Sequence, residues 1–570
     1  MKNRLNVWLP FIVALSIAIG VLVGNFYNKA GGRASGYLSP ANNKINAVLE
    51  IIDEKYVDTV RVKDLIEDVI PKIFEELDPH SMYIPAKEAQ SVNEELDGSF
   101  SGIGVSFNMQ TDTILLLNVF AGGPSEQAGL QPFDRIVTIN DSIFAGKDID
   151  QNEVVKNLKG PRGSKVTLGV KRRNKPDMLY FDVVRGDVPV NSIEVAYEIR
   201  KNIGFIKVSR FTRTSYQDFI TALARLKKEG CNAFIIDLRG NTGGIMETAI
   251  SMINEFMPAS RLIVYMEGKS YPRSNMFSTG NGSCIEDDIV VLTDENSASA
   301  SEIFAGAIQD NDRGLIIGRR TFGKGLVQTS VGLADGSELR LTVARYYTPS
   351  GRSIQKKYEL GHSEDYEMDI YNRYKHGEFY TRDSIKTDSL PQYQTVMGRT
   401  VYGGGGIIPD IFIPSDTTGL TSYFNSVTKY PNVLNLYTLL YSDQHYDLLR
   451  SFGTYREMYD YLSGQPLLDD FTDFAVEHGI KKRPALIEIS AKLIEIHLVS
   501  LIIKNFFDND GFFPIYYDDD NTVRQAVKVI QEGKATPTAC YIYDTDIPES
   551  QSTARNYTLA RELNRTNPKA

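Results

Sequence analysis

The chain has 570 residues, 42% of them hydrophobic, and a formal net charge of -10. That length exceeds one ordinary domain, so three or four modules are expected, and the acidic balance gives no reason to expect nucleic acid or anionic lipid as a partner. The three cysteines, Cys231, Cys284 and Cys540, lie too far apart for paired spacing, which excludes a disulfide-rich scaffold and a cysteine-based zinc knuckle.

After Lys2 and Arg4 comes VWLPFIVALSIAIGVLVG, Val7 to Gly24, an uncharged run of 18 residues, about the minimum that spans a bilayer as a helix. Residues 1–24 read as an N-terminal transmembrane anchor with its basic flank in the cytoplasm, or else as a cleaved signal peptide. Both readings export the rest of the chain. No cysteine lies beside the run, so a lipoprotein anchor is excluded.

Residues 43–97 carry a helical pattern: Val48, Ile51 and Ile52, then Leu65, Val69, Ile70, Ile73 and Phe74, recur at 3.6-type spacing. The turn LDPHSMYIP, Leu77 to Pro85, interrupts it. From 98 to 175 the chain becomes rich in strands and glycine. The runs GSFSGIGVSF, ILLLNVF and KVTLGVKRR bracket a short helix around Gln151 to Leu158, which predicts a small β-barrel-like module.

From 188 to 415 short apolar strands alternate with helices. IGFIKV, NAFIID, RLIVYM, DIVVLT and GLIIG are unbroken apolar runs, and they predict a mixed, largely parallel sheet with helices packed on it. The helix SYQDFITALARLKKEG has Thr214 and Gln217 at capping-box spacing and Gly230 as its stop. An antiparallel hairpin around Asp335 and Gly336 is expected to extend the layer. Residues 362–400 are polar and tyrosine-rich and read as an insertion. From 416 to 570 a helical extension is expected. Its apolar stretch IEISAKLIEIHLVSLIIKNFF holds Glu488, Lys492, Glu495, His497 and Lys504, which exclude a second membrane span. FFDNDGFF, Phe506 to Phe513, lacks the ligands of a calcium loop and reads as a turn; the acidic YYDDDN after it reads as a solvated loop.

Chemistry concentrates in DENSASASEIFAGAIQD, Asp294 to Asp310, where DIVVLT runs directly into a helix. Such a junction aims backbone N–H groups outward and suits an oxyanion. The local pattern leaves two readings open, because Ser299 and Glu302 also have capping-box spacing. Histidine, the usual base, is absent from Val188 to Val343, which disfavours a Ser-His-Asp arrangement. Lys324, in GRRTFGKGLVQ, lies between two glycines. It is either a surface residue in a turn or a lysine whose pKa burial depresses enough to make it a base.

Taken together, SASASE, the lysine 25 residues after the middle serine, DLRGNTGG, TPSGRSIQ and the preceding GIGV module resemble the carboxy-terminal processing peptidases, or tail-specific proteases, of the S41 serine peptidase family. The match runs from about Asn43 to Pro414 and includes LDPHSMYIP. The resemblance implies a crotonase/ClpP-like protease core. It makes Ser299 the nucleophile, Lys324 the general base and Gln328 the residue that orients the lysine. Ala300 N–H is then one oxyanion donor and Gly243 or Gly244 the other. With Val7 to Gly24 as the anchor, the expectation is a bacterial cell-envelope protein, single-pass in the inner (cytoplasmic) membrane, with its catalytic body on the periplasmic or extracytoplasmic side.

Residues 98–175 resemble a PDZ domain, in which a glycine loop holds a peptide's terminal carboxylate and the peptide adds as a strand. Gly102, Ile103, Gly104 and Val105 fit that loop. Val105 and Phe107 would face the side-chain pocket, with Val154 or Val155 and Leu158 opposite. The expected function is a serine endopeptidase that cleaves proteins or peptides with apolar C-termini. A catalytically silent PDZ scaffold and a crotonase-like acyl-CoA enzyme are the rivals; the intact Ser299, Lys324 and Gln328 argue against the first and the export signal against the second. No cofactor and no metal are expected. The tail is expected to serve homo-oligomerisation or adaptor binding, and composition does not choose.

Overall fold

The computed structural model describes residues 42–109, 113–120, 122–146, 150–429 and 432–538. The chain divides into two compact units, Met1–Leu77 and Asp78–Ala570. The first contains the helices Asn42–Lys55 and Val62–Glu75, and no residue of the second helix is buried. The expected membrane span, Val7 to Gly24, lies outside the described residues. Among the described residues no helix is long and apolar enough to cross a membrane. The assignment to the inner membrane as a single-pass protein is therefore corrected. The longest described helix, Pro484–Tyr516, fails as a span because of its charged side chains.

Within the second unit the central sheet has six strands in the order Ile193–Arg200, Ile203–Val208, Ala233–Asp237, Asp288–Thr293, Leu315–Gly318 and Ile411–Phe412. Only the first pair is antiparallel. Every residue of Ile203–Val208, Ala233–Asp237 and Leu315–Gly318 is buried, which is why these runs show no alternation. One face packs against the helices Ser215–Lys228, Met246–Asn254 and Ala300–Asp310 through Phe219, Leu226, Ile253 and Phe304. The other face, including Phe205, Ile235, Val290 and Leu292, is covered by Phe513, Tyr517, Val523, Ala526 and Ile530. The C-terminal extension thus supplies the second helical layer of a three-layer α/β core.

Several local expectations are corrected. Leu262–Gly268, from RLIVYM, turns at once into the antiparallel strand Tyr271–Phe277. It joins a separate sheet, where Glu338–Tyr347 pairs with it, with Met82–Ile84 and with Leu326–Gly332; the Asp335–Gly336 hairpin belongs to that sheet and does not extend the central one. The box expected at Thr214 and Gln217 is replaced by Ser215, whose Oγ accepts the Thr212 N–H at 2.7 Å. FFDNDGFF is helical, kinked where Asp508 takes φ 51°. The acidic segment after it is a turn in which Asp518 is exposed and pairs with Arg200 at 2.9 Å, but Asp520 departs from the expected solvated loop by pairing with the mostly buried Arg239 at 2.8 Å.

The module that begins at 98 runs past the expected boundary at 175, because its antiparallel sheet, in the order Val105–Asn108, Ile114–Val119, Arg135–Ile139, Lys165–Lys171 and Leu179–Val184, closes with a strand that ends at Val184. The helix Gln151–Leu158, capped by Asp150, packs on it through Val154 and Leu158. Val105–Asn108 is an edge strand. The C-terminal extension grips the back of this module: Phe133 stacks on Phe506 at 5.4 Å, Arg135 pairs with Asp443 at 3.1 Å, and Asn118 bonds Asp508 at 2.9 Å.

Candidate active site

The strand Asp288–Thr293 ends at Asp294, whose Oδ1 accepts the N–H groups of Asn296 (3.0 Å), Ser297 (3.1 Å) and Gly240 (3.0 Å). The chain then turns sharply. Ser299, immediately before the helix Ala300–Asp310, has φ 57° and ψ -114°, a left-handed conformation that costs a non-glycine residue about 1–3 kcal/mol. Of the three serines only Ser299 is partly exposed. Ser297 Oγ donates to Leu238 O at 2.8 Å and Ser301 Oγ to Asn241 O at 2.9 Å, so both are used in the scaffold. Ala300 N–H, the first of the helix, has no acceptor among the described residues.

Glu302 holds the turn. It is fully buried, and its Oε2 accepts the N–H groups of Ser299 (2.8 Å) and Lys324 (2.9 Å). Its Oε1 accepts Thr321 Oγ1 (2.5 Å) and Gly323 N–H (2.7 Å). Burial pushes this carboxyl up to about 7 despite four donors pulling it down. The buried Tyr346 hydroxyl lies between the carbonyls of Ser299 (3.0 Å) and Lys324. One carboxylate oxygen and one phenol therefore tie the two backbones together.

Lys324 is partly buried, and burial draws its amine below the ordinary lysine value while the charges of Glu302 and Asp78 oppose. Its Nζ donates to Gln328 Oε1 at 3.3 Å; among the described residues it makes no hydrogen bond to Ser299. A register shift between Val327 and Gln328 lets the glutamine turn back toward the lysine. Gln328 Nε2 in turn donates to His80 O. His80, far away in sequence, thus enters the site. Its ring faces Tyr366 Oη at 2.8 Å, and burial with the nearby Lys324 charge lowers it to about 4.

The two glycines separate. An added Cβ on Gly243, at φ 104°, would lie 2.8 Å from Ser299 Cβ and 3.1 Å from Ala300 N, whereas one on Gly244 would meet Phe211 O at 2.1 Å. Gly243 is therefore the one against the serine, and its N–H is donated to Asn241 Oδ1 at 2.8 Å.

In the strand-rich module Gly102 ends the strand Ser99–Gly102, and Gly104 has φ 75°. The carbonyls of Ile103 and Gly104 accept Ser125 N–H (2.9 Å) and Phe120 N–H (3.1 Å), which turns the loop's carbonyls inward. Ile103, Val154 and Leu158 lie in the buried core of the module, with Val105 and Phe107 half-buried against it.

Glu302, Tyr346, Asn241 and His80 are the site members that sequence reasoning did not place. Glu302 was legible as half of a capping box, and His80 sat inside LDPHSMYIP; Tyr346 and Asn241 carried no spacing signal.

The model of peptidase family S41 matches residues 202–368, that of the PDZ domain residues 101–183, and a family of unknown function (DUF8443) residues 423–508. The chain is 32% identical over 331 residues to the carboxy-terminal processing protease CtpB of Bacillus subtilis, covering 58% of this chain and 68% of that protein. It is 32% identical over 362 residues to CtpA of the same organism, covering 63% of this chain and 76% of that protein. A solved photosystem II D1 C-terminal processing protease aligns at 27% identity and TM-score 0.32, over 54% of this chain and 82% of that one.

Proposed function

The chain belongs to peptidase family S41 and is a carboxy-terminal processing serine protease with a PDZ domain, and from that premise we propose how its residues divide the work. Ser299 attacks the scissile carbonyl while Lys324 takes its proton. The tetrahedral oxyanion is met by Ala300 N–H and by Gly243 N–H once Asn241 releases it. Lys324 then protonates the leaving amine, and the acyl-enzyme is hydrolysed by water that Lys324 deprotonates. Gln328 aims the lysine.

The observation that carries this reading is the sharing of Glu302 Oε2 by the N–H groups of Ser299 and Lys324, which ties the backbone of a strained serine to that of a partly buried lysine. With Nζ turned to Gln328 and Gly243 N–H occupied, the arrangement suits a resting enzyme that completes its site on binding substrate. The PDZ domain offers an edge strand, half-buried Val105 and Phe107, and a loop whose carbonyls are already engaged. These features suit a peptide with an apolar C-terminus and a free carboxylate.

The test is digestion of an unfolded protein with an apolar C-terminus. Ser299→Ala and Lys324→Ala should each lower kcat/KM by a factor of about 1,000 or more, with unchanged circular dichroism. Cleavage by both variants at the parent's rate would overturn the dyad.

A further inference from the structure

We propose that the turn Asp78–Ser81 and Tyr366 form a positioning device for the catalytic lysine, acting through His80 and Gln328; the proposal rests on the Ser299–Lys324 reading above. The turn is pinned by one carboxylate. Asp78 Oδ1 accepts the N–H groups of His80 (3.0 Å) and Ser81 (3.1 Å) and the Thr342 hydroxyl (2.8 Å), and its Oδ2 accepts Ser81 Oγ (2.5 Å). Ser81 Oγ also accepts Thr342 N–H at 3.0 Å, which staples the turn to the strand that pairs with Leu326–Gly332. The consequence is a fixed carbonyl. His80 O receives Gln328 Nε2, so the amide cannot flip and Gln328 Oε1 must face Lys324 Nζ.

The His80 ring is fixed from the other side. Tyr366 sits on a short helix, Ser363–Glu367, in the insertion, and is 4% exposed. Its phenol is held protonated by burial and the imidazole is neutral at pH 7, so the 2.8 Å contact between Tyr366 Oη and His80 Nε2 is a hydrogen bond between two neutral groups, its donor set by the imidazole tautomer. Tyr366 is itself clamped: Lys356 Nζ donates to its carbonyl at 3.0 Å and lies 4.0 Å from its ring centre, and Phe322 packs edge-on at 5.8 Å. A single chain of hydrogen bonds thus runs from the insertion to the lysine: Tyr366 to His80, His80 carbonyl to Gln328, Gln328 to Lys324. The charged groups acting on Lys324 are Glu302, Asp78 and Arg340, and none belongs to this relay except through the Asp78 turn. Removing the Tyr366 hydroxyl therefore changes aim without changing charge.

The experiment compares kcat, KM and the pH profile of kcat/KM for the full chain, Tyr366→Phe, Ser81→Ala, Gln328→Ala and the double variant Tyr366→Phe/Gln328→Ala, with Ser299→Ala and Lys324→Ala alongside. Tyr366→Phe keeps the ring and its packing. It should lower kcat roughly ten- to a hundredfold with KM nearly unchanged, and move the acid limb of kcat/KM to lower pH, because a lysine that has lost its fixed acceptor is an easier one to deprotonate. Ser81→Ala should act in the same direction. In the Gln328→Ala background the Tyr366→Phe change should have no further effect. An unmoved kcat and pH limb in Tyr366→Phe and Ser81→Ala, or effects that simply add to Gln328→Ala, overturns the relay while inert Ser299→Ala and Lys324→Ala leave the dyad standing. If Ser299→Ala and Lys324→Ala cleave like the parent, dyad and relay fall together.

Discussion

Glu302 carries more of the site than any other single side chain, and its ionisation has a direction that can be measured. Its folded value, about 7, lies above its ordinary 4.5, so the native state holds a proton that the unfolded chain releases. The stability this proton confers is fully present below about pH 4.5 and is lost as pH rises through 7. Urea unfolding of Glu302→Gln should therefore show a smaller loss of stability between pH 5 and 8 than the parent; equal losses would contradict the assignment. In activity, removing the charge that opposes depression of the lysine should shift the acid limb of kcat/KM to lower pH. At this scale the residues alone left Ser299 open between cap and nucleophile, and only the resemblance to the family's Ser-to-Lys spacing set it apart from Ser297 and Ser301, the two that the structure uses in the scaffold. Glu302 was legible only as half of a capping box, which accounts for one of its four bonds; the other three come from the loop at Thr321, Gly323 and Lys324, which only the parallel crossover from Asp288–Thr293 to Leu315–Gly318 brings back.

Among elements, the loop DLRGNTGG works by close approach, and its two last glycines have different tasks. Gly243→Ala would place a methyl against Ser299 Cβ and Ala298 O, each 2.8 Å away, so it should lower kcat at least tenfold with a modest fall in melting temperature. Gly244→Ala drives a methyl into backbone, 2.1 Å from Phe211 O, and should cost the larger stability loss, upwards of about 2 kcal/mol in urea unfolding. Equal effects of the two on both measurements would contradict this division. The central strands were legible because doubly buried strands are unbroken apolar runs. RLIVYM reads as the same kind of apolar run yet joins the other sheet, because beyond its local hairpin with Tyr271–Phe277 it pairs with Glu338–Tyr347, a non-local partnership that composition does not encode.

For the whole molecule, the C-terminal extension is structural to the peptidase core. It covers the face of the central sheet that holds Phe205, Ile235 and Leu292, and its Asp520 binds Arg239, at the head of the glycine loop, through both carboxylate oxygens at 3.0 and 2.8 Å. Its amphipathic helices were legible, but their destination was not, since an apolar face does not name the surface it will cover. Ala526→Asp, at a position with no exposure, buries an unpaired charge and should cost about 3 kcal/mol or more, read as a lowered urea midpoint of the cooperative unfolding of the catalytic unit. An unchanged midpoint would show that the extension is a detachable appendage.

The central claim is that Ser299 forms the acyl bond under control of Lys324. Rapid-quench mass spectrometry with an activated ester substrate tests it most directly. The account predicts an acyl adduct that accumulates in the first turnover and maps to Ser299, is absent from Ser299→Ala, and forms at least about a hundredfold more slowly in Lys324→Ala. An adduct on Ser297 or Ser301, or full-rate acylation without the lysine, would contradict it.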